Sequence, residues 1–307
     1  MAQELLFGSW KISSLAWPRA TPTPDRLFFT LFNQPEWRDQ PGLNAFVLRA
    51  AFPSLSFLYR QDFEEFKHST LTLAFERLVF VDRQAAKLAP LNAAANKMVA
   101  QLGARPSAEV GWWEPVRTAV VDAIEASLPV KREPVIIDHV RRPRITYVSR
   151  QKAVQRRLRQ ADHEALEKAL KDLAKRKEVD VAVVIWEQLS AAEQIRVASR
   201  TTIFLSLHGN GLSHQLWAPV VPGLSTTVEM LYPGGWARDF ELVATMLGRR
   251  HYAFWGNELL WGTKMEPGMV MPEGFHLHST PIKANAVIKL LEDILDHKEV
   301  PPHHTHL

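Results

Sequence analysis

Thr202-Ile203-Phe204-Leu205-Ser206-Leu207-His208-Gly209-Asn210-Gly211-Leu212-Ser213-His214 is the stretch whose reading decides the fold. An apolar run of strand length enters two glycines, and a helix is expected to start at Asn210 and stop at Pro219. Upstream, Val179–Trp186 is a continuous apolar run, which reads as a strand buried on both faces. Ser190 follows as the start of a helix to about Arg200, with Glu193 at the capping-box position. Earlier still, Ile145–Ser149 reads as a strand. Asp162 is expected to cap a helix to about Lys177 whose buried face carries Leu166, Leu170 and Leu173. Downstream, Thr226–Leu231 and His251–Trp255 read as strands. Helices are expected from Asp239 to Gly248 and over Ala284–His297. Strands alternating with helices imply βαβ units and a parallel sheet.

The N-terminal half is less regular. Leu27–Phe32, Leu55–Tyr59 and Leu78–Val81 read as short strands, with Pro18, Pro22, Pro24, Pro35 and Pro41 breaking the chain around the first. Val116, Val120, Ile124 and Leu128 fall four apart, so Trp113–Leu128 reads as an amphipathic helix. Pro129 and Pro134 bracket a charged linker. The chain is therefore expected to divide into an N-terminal domain, residues 1–135, and a C-terminal Rossmann-like domain, residues 136–307.

Composition removes several kinds of chemistry. There is no cysteine, which rules out disulfides, thiolate metal sites and a cysteine nucleophile. A formal charge of +4 on 307 residues is too small for a general nucleic-acid binder and suits a small anionic ligand. No apolar run approaches the ~20 residues of a membrane span, and the first residues lack the pattern of a signal peptide. His303, His304 and His306 lie in a tail after Pro301-Pro302 and are not expected to bind metal.

Ligands of open parallel sheets bind beyond the carboxyl ends of the strands. The segment 208–213 sits there, where glycines let a phosphate approach the backbone and a helix N-terminus favours an anion. Glu229 ends the next strand about 20 residues on, the usual place for a carboxylate that meets ribose hydroxyls. By pattern alone the segment reads equally as a tight turn followed by a surface glutamate. Arg150 ends its strand and is expected to project into the same cleft, where its guanidinium suits a diphosphate. Lys152, Arg156, Arg157 and Arg159 read as a solvated basic stretch. Asp82 follows the third N-terminal strand and is a candidate general base, or a turn aspartate paired with its neighbour.

The ordered series Ile145-Thr-Tyr-Val-Ser-Arg150, Glu187-Gln-Leu-Ser190, Glu193-Gln-Ile195, His208-Gly-Asn-Gly-Leu-Ser-His214, Pro222 and Val228-Glu229 resembles glycosyltransferase family 61. The resemblance runs over about 142–255, and Phe75–Arg83 extends it more thinly. Two residues depart from the family pattern: Asn210 stands where alanine is usual, and Ser213 where threonine is usual.

The resemblance implies a GT-B fold of two Rossmann-like domains facing a central cleft, and inversion at the anomeric carbon. It implies transfer of GlcNAc or a pentose from a UDP-sugar to a glycan or protein acceptor, in the Golgi or endoplasmic reticulum lumen. Arg150, Gly209, Asn210, Gly211, Leu212 and Ser213 would then contact the diphosphate, and Glu229 the ribose or nearby donor groups. His208 and Asp82 are the candidates for the catalytic base. No cofactor or metal is expected, because no paired carboxylates flank a strand end. The alternative is a catalytically inactive scaffold of the same fold that binds a partner or glycan.

Overall fold

The computed structural model of the chain describes residues 6–18, 20–30, 33, 37–39, 42–70, 72–82, 111–128, 142–261 and 269–298. The expected linker around Pro129–Pro134 and the histidine tail lie outside them.

A six-stranded sheet organises the C-terminal part. Counting from the start of the chain, its strands are β3 (Arg144–Val148), β4 (Asp180–Val184), β5 (Ile203–Leu207), β6 (Thr226–Met230), β7 (Arg250–Trp255) and β8 (Glu258–Leu260). They run in the order β4-β3-β5-β6-β7-β8, parallel throughout except for β8, which pairs antiparallel with β7. This is a doubly wound sheet closed by one antiparallel edge strand. Five expected strands are present within a residue or two of their expected ends. β8 is additional, a short strand after the turn at Gly256.

Burial corrects one reading. Val179–Trp186 was expected to be buried on both faces, yet β4 is the edge strand and its residues are only half buried. The central positions belong to β5 and β6, which are buried along their whole length.

Side-chain alternation sorts the sheet into two faces. Ile145, Tyr147, Ile203, Leu205, Leu207, Val228, Met230, Tyr252 and Phe254 point to one face, under the helices Gln160–Arg176 and Ala284–Leu295. Each such side chain contributes roughly 1.5–3 kcal/mol when fully buried. Strand register puts Thr146, Val148, Phe204, Ser206, Thr227, Glu229, His251 and Ala253 on the other face. That second face is unusually polar for a sheet interior.

The helices Ala191–Ser199 and Asp239–Met246 and the 3₁₀ helix Asn210–Trp217 cover the second face. Ser190 and Glu193 form the expected capping box: Ser190 Oγ accepts from the Glu193 amide at 3.3 Å, and the Ser190 amide donates to Glu193 Oε2 at 2.9 Å. Asp162 does not cap its helix, which begins at Gln160. Its carboxylate instead accepts from the Ile282 amide at 3.1 Å.

Among the described N-terminal residues, β1 (Arg26–Phe29) and β2 (Ser56–Tyr59) form a two-stranded parallel sheet, joined through the helix Leu43–Ala51. The helices Phe7–Ala16 and Arg60–His68 were not expected from the sequence. Leu78–Val81, read as a strand, is irregular, and Leu78 and Phe80 are exposed. Among the described residues the apolar run has no sheet neighbour to pair with, so its strand propensity goes unused.

The helix Glu114–Ser127 forms as expected and buries Val116, Val120 and Ile124. It packs on the helix Ala191–Ser199, so one apolar cluster runs from Phe7 and Trp10 through Val120 to Ile195, Phe204 and Leu216.

Candidate functional site

Winding direction reverses between β3 and β5, because β4 lies on one side of β3 and all later strands on the other. Such a switch point opens a crevice at the carboxyl ends of the two strands. Here those ends continue as Ser149-Arg150 and as His208-Gly209.

The segment after β3 folds back on itself. Gln151 receives the Leu158 amide on Oε1 at 2.9 Å and donates Nε2 to the Leu158 carbonyl at 3.3 Å. Arg150 Nε donates to the Arg156 carbonyl at 3.3 Å. Arg156 closes this loop with a left-handed φ of 56°, rare for a residue with a side chain. Its guanidinium is thereby turned inward, and its Nε is buried without a hydrogen-bond partner.

Both guanidinium groups arrive at Gly209. A Cβ on that residue would lie 3.4 Å from Arg150 Nη1 and 3.5 Å from Arg156 Nη1. Its backbone, at φ 154° and ψ 170°, is also one that only glycine adopts readily. Neither arginine has a carboxylate partner among the described residues. Burial, and then the charge of Arg150, push the Arg156 guanidinium below its ordinary value. Two cations of like charge at a glycine, that of Arg156 desolvated, are arranged for an anion, and a diphosphate matches their fork geometry.

The other motif residues divide by role. Asn210 is exposed, whereas the Leu212 side chain is wholly buried and can offer a ligand only its backbone. Gly211 is required by Trp186, whose Cδ1 would stand 2.8 Å from an added Cβ. His214 packs on the same indole with ring centroids 4.9 Å apart, and burial lowers it to about 4, so it stays neutral. It belongs to the scaffold of the loop. Ser213 is half buried in the 3₁₀ helix.

Glu229 is turned into the protein rather than toward the crevice. A ribose contact needs a carboxylate that faces solvent, and Glu229 is 0 % exposed. Its Oε1 lies 2.5 Å from His208 Nδ1 and its Oε2 2.9 Å from His251 Nε2. Both oxygens are thus engaged inside the protein. Burial alone would raise its carboxyl; the charge and hydrogen bond of His208, then His251, outweigh that and hold it at about 2. The sequence carried a signal, since Thr226-Thr227-Val228-Glu229-Met230 alternates and puts Thr227 and Glu229 on one face.

His208 sits over this carboxylate, between Phe240 and Phe275, each with its ring centroid 5.3 Å away. Phe275 comes from a segment tied to the arginine loop: the Arg159 amide donates to the Thr280 carbonyl at 3.0 Å, and the Thr280 amide to Arg157 at 2.8 Å. A void of about 10 Å³ separates Arg156, His208, Tyr232, Phe275 and Thr280, room for about one water. Asp82 is exposed at the end of the irregular segment 72–82.

The structure thus brings together Arg150, His208 and the loop 209–213, and adds Arg156, His251 and Phe275. Arg156 was hidden in a basic stretch; its neighbours Lys152, Arg157 and Arg159 are indeed exposed.

The family model described as Glycosyltransferase 61 matches residues 30–223. The chain belongs to glycosyltransferase family 61. The match takes in Asp82, Arg150, Arg156 and the whole 208–213 loop, and ends before Glu229 and His251. Comparison with curated proteins finds no match. Family membership makes the chain a glycosyltransferase by relationship, with a nucleotide-sugar and a glycan acceptor as the implied reactants. Among the described residues, no helix of this glycosyltransferase is long and apolar enough to cross a membrane.

Proposed function

We propose that the protein is an inverting glycosyltransferase that moves GlcNAc or a pentose from a UDP-sugar to a glycan or protein acceptor. The observation that carries the reading is the convergence of Arg150 and Arg156 on Gly209 at the switch point. The donor diphosphate binds these guanidiniums and the first turn after Gly209. The acceptor hydroxyl oxygen attacks the anomeric carbon as the bond to the diphosphate oxygen breaks.

Negative charge grows on that oxygen, and Arg150, Arg156 and His208 stabilise it. A well-placed donor of this kind contributes up to ~3–4 kcal/mol. Asp82 takes the acceptor proton from the N-terminal side, in a GT-B arrangement of domains 1–135 and 136–307. The fixed cations supply the charge that a metal would otherwise provide, so activity survives EDTA. By family relationship the setting is the Golgi or endoplasmic reticulum lumen.

Thermal melting with a panel of UDP, UDP-GlcNAc, UDP-xylose and NAD tests the donor, since a ligand of the native state raises apparent stability. UDP and at least one UDP-sugar raise the midpoint, and release of UDP with an acceptor marks turnover. Stabilisation by NAD alone defeats the reading. UDP binding without any turnover returns the inactive scaffold.

A further inference from the structure

The site as described leaves His251 without a role. It is the second residue of β7, buried, with Nε2 on Glu229 Oε2 at 2.9 Å and Nδ1 buried without a partner. Register explains the alignment. Ser206 pairs with Glu229 and Thr227 with His251, so β5 sends Ser206, β6 Thr227 and Glu229, and β7 His251 to the same face. His208 continues the alternation of β5 one residue past its end. The result is a buried series, His251–Glu229–His208, that begins inside the sheet and ends beside the two arginines.

Such a series is a poor way to stabilise a sheet. Apolar residues of equal volume are often neutral or better, and one buried nitrogen here goes unpaired. What the series does supply is orientation. A neutral imidazole has one N–H, and the hydrogen bond on one nitrogen decides which function the other has. With Nδ1–H donated to Glu229 the His208 ring is fixed, and once the ring carries its second proton Nε2–H is left to donate to an anion. Glu229 in turn has one carboxylate oxygen pinned by His251, which stops it from rotating away.

We infer that His251 is a positioning residue for sugar transfer, acting through Glu229 to hold His208 with its Nε2–H presented to the leaving diphosphate. The inference rests on the donor site proposed above.

Two measurements test it. Nitrogen-edited NMR of the wild-type protein reads the ring of His208 directly. The proton sits on Nδ1 and resonates far downfield, and the signal disappears in Glu229→Gln. A lone pair on Nδ1 overturns the inference whether or not a donor has been found. Kinetics then follow with the UDP-sugar that turns over. His251→Leu lowers kcat by about tenfold or more and changes the donor KM by less than about twofold. His251→Gln, which keeps an N–H for Glu229, restores most of the loss. Wild-type kcat in His251→Leu, or a loss matched by equal falls in melting temperature and UDP affinity in both variants, overturns it. Absence of turnover with every UDP-sugar counts against the donor reading instead, and the NMR result stands separately.

Discussion

Arg150 and Arg156 carry their guanidinium groups to the same glycine, and among the described residues neither pairs with a carboxylate. Like charges held this close oppose folding and favour an anion, so function and stability pull in opposite directions. Arg156→Ala is expected to keep or raise the melting temperature while lowering kcat by roughly 10²-fold. Calorimetric melting and steady-state kinetics on one preparation check both halves. A variant that melts lower and turns over normally would make Arg156 a structural residue.

Glu229 should act on stability rather than on ribose binding. Its carboxyl is held below its ordinary value, at about 2 against 4.5, so the folded state binds that proton less readily than the unfolded chain. The sign follows: its contribution is complete above about 4.5 and is lost as pH falls toward 2. Denaturant midpoints should therefore drop more steeply over this acid range in the wild type than in Glu229→Gln. At neutral pH Glu229→Ala, which strands two buried imidazoles, should cost about 3–5 kcal/mol. An unchanged midpoint at neutral pH would contradict the buried pairing.

Arg249 serves the opposite end of the sheet from the candidate site. It is wholly buried, and burial lowers its guanidinium to about 9. Nη1 donates to the Pro219 carbonyl at 2.9 Å, and Nη2 to those of Thr202 at 2.9 Å and Thr226 at 3.2 Å. Arg249→Leu removes these three hydrogen bonds, although Ser225 Oγ still donates to the Pro219 carbonyl and the Thr226 amide to that of Thr202, and should destabilise by about 1–3 kcal/mol without altering UDP affinity in the protein that remains folded. Urea titration and ligand binding separate the two effects.

The loop tolerates no side chain at Gly211. Alanine there requires Trp186 to move, since Cδ1 and Nε1 would stand 2.8 and 3.0 Å from its Cβ. Gly211→Ala is expected to cost about 1–3 kcal/mol, as overpacking usually does. Trp186 also donates Nε1 to the Gly211 carbonyl at 3.3 Å, so its fluorescence should report the displacement.

Much of the C-terminal half was legible because its strands and helices differ in period. The capping box at Ser190 and Glu193 and the turn at Gly209 could be read directly. What remained hidden depended on neighbours brought in from far along the chain. The edge position of β4 follows from strand order, which hydropathy does not encode. Arg156 looks like Arg157 in sequence, and only the left-handed turn at Arg156 separates them. Glu229 was correctly seen at a strand end, but its partner His251 arrives from the next strand, and their pairing drew it inward. The helix Phe7–Ala16 lacks strong periodicity and is held mainly by aromatic contacts, such as Phe7 with Trp112 and Trp113.

The helix Glu114–Ser127 has a practical consequence for anyone dividing this protein. Trp113 Nε1 reaches the Leu216 carbonyl at 2.8 Å, and Trp112 Nε1 the Met246 carbonyl at 2.8 Å, so two indoles stitch this segment to the C-terminal half. Cutting just before Arg144 would strip the cover from Ile195, Ala198 and Leu216 and leave a sticky oily surface in its place. The smallest cohesive piece that keeps the two arginines and His208 therefore begins upstream of Trp112, whatever the proline-flanked linker suggests about where one domain stops.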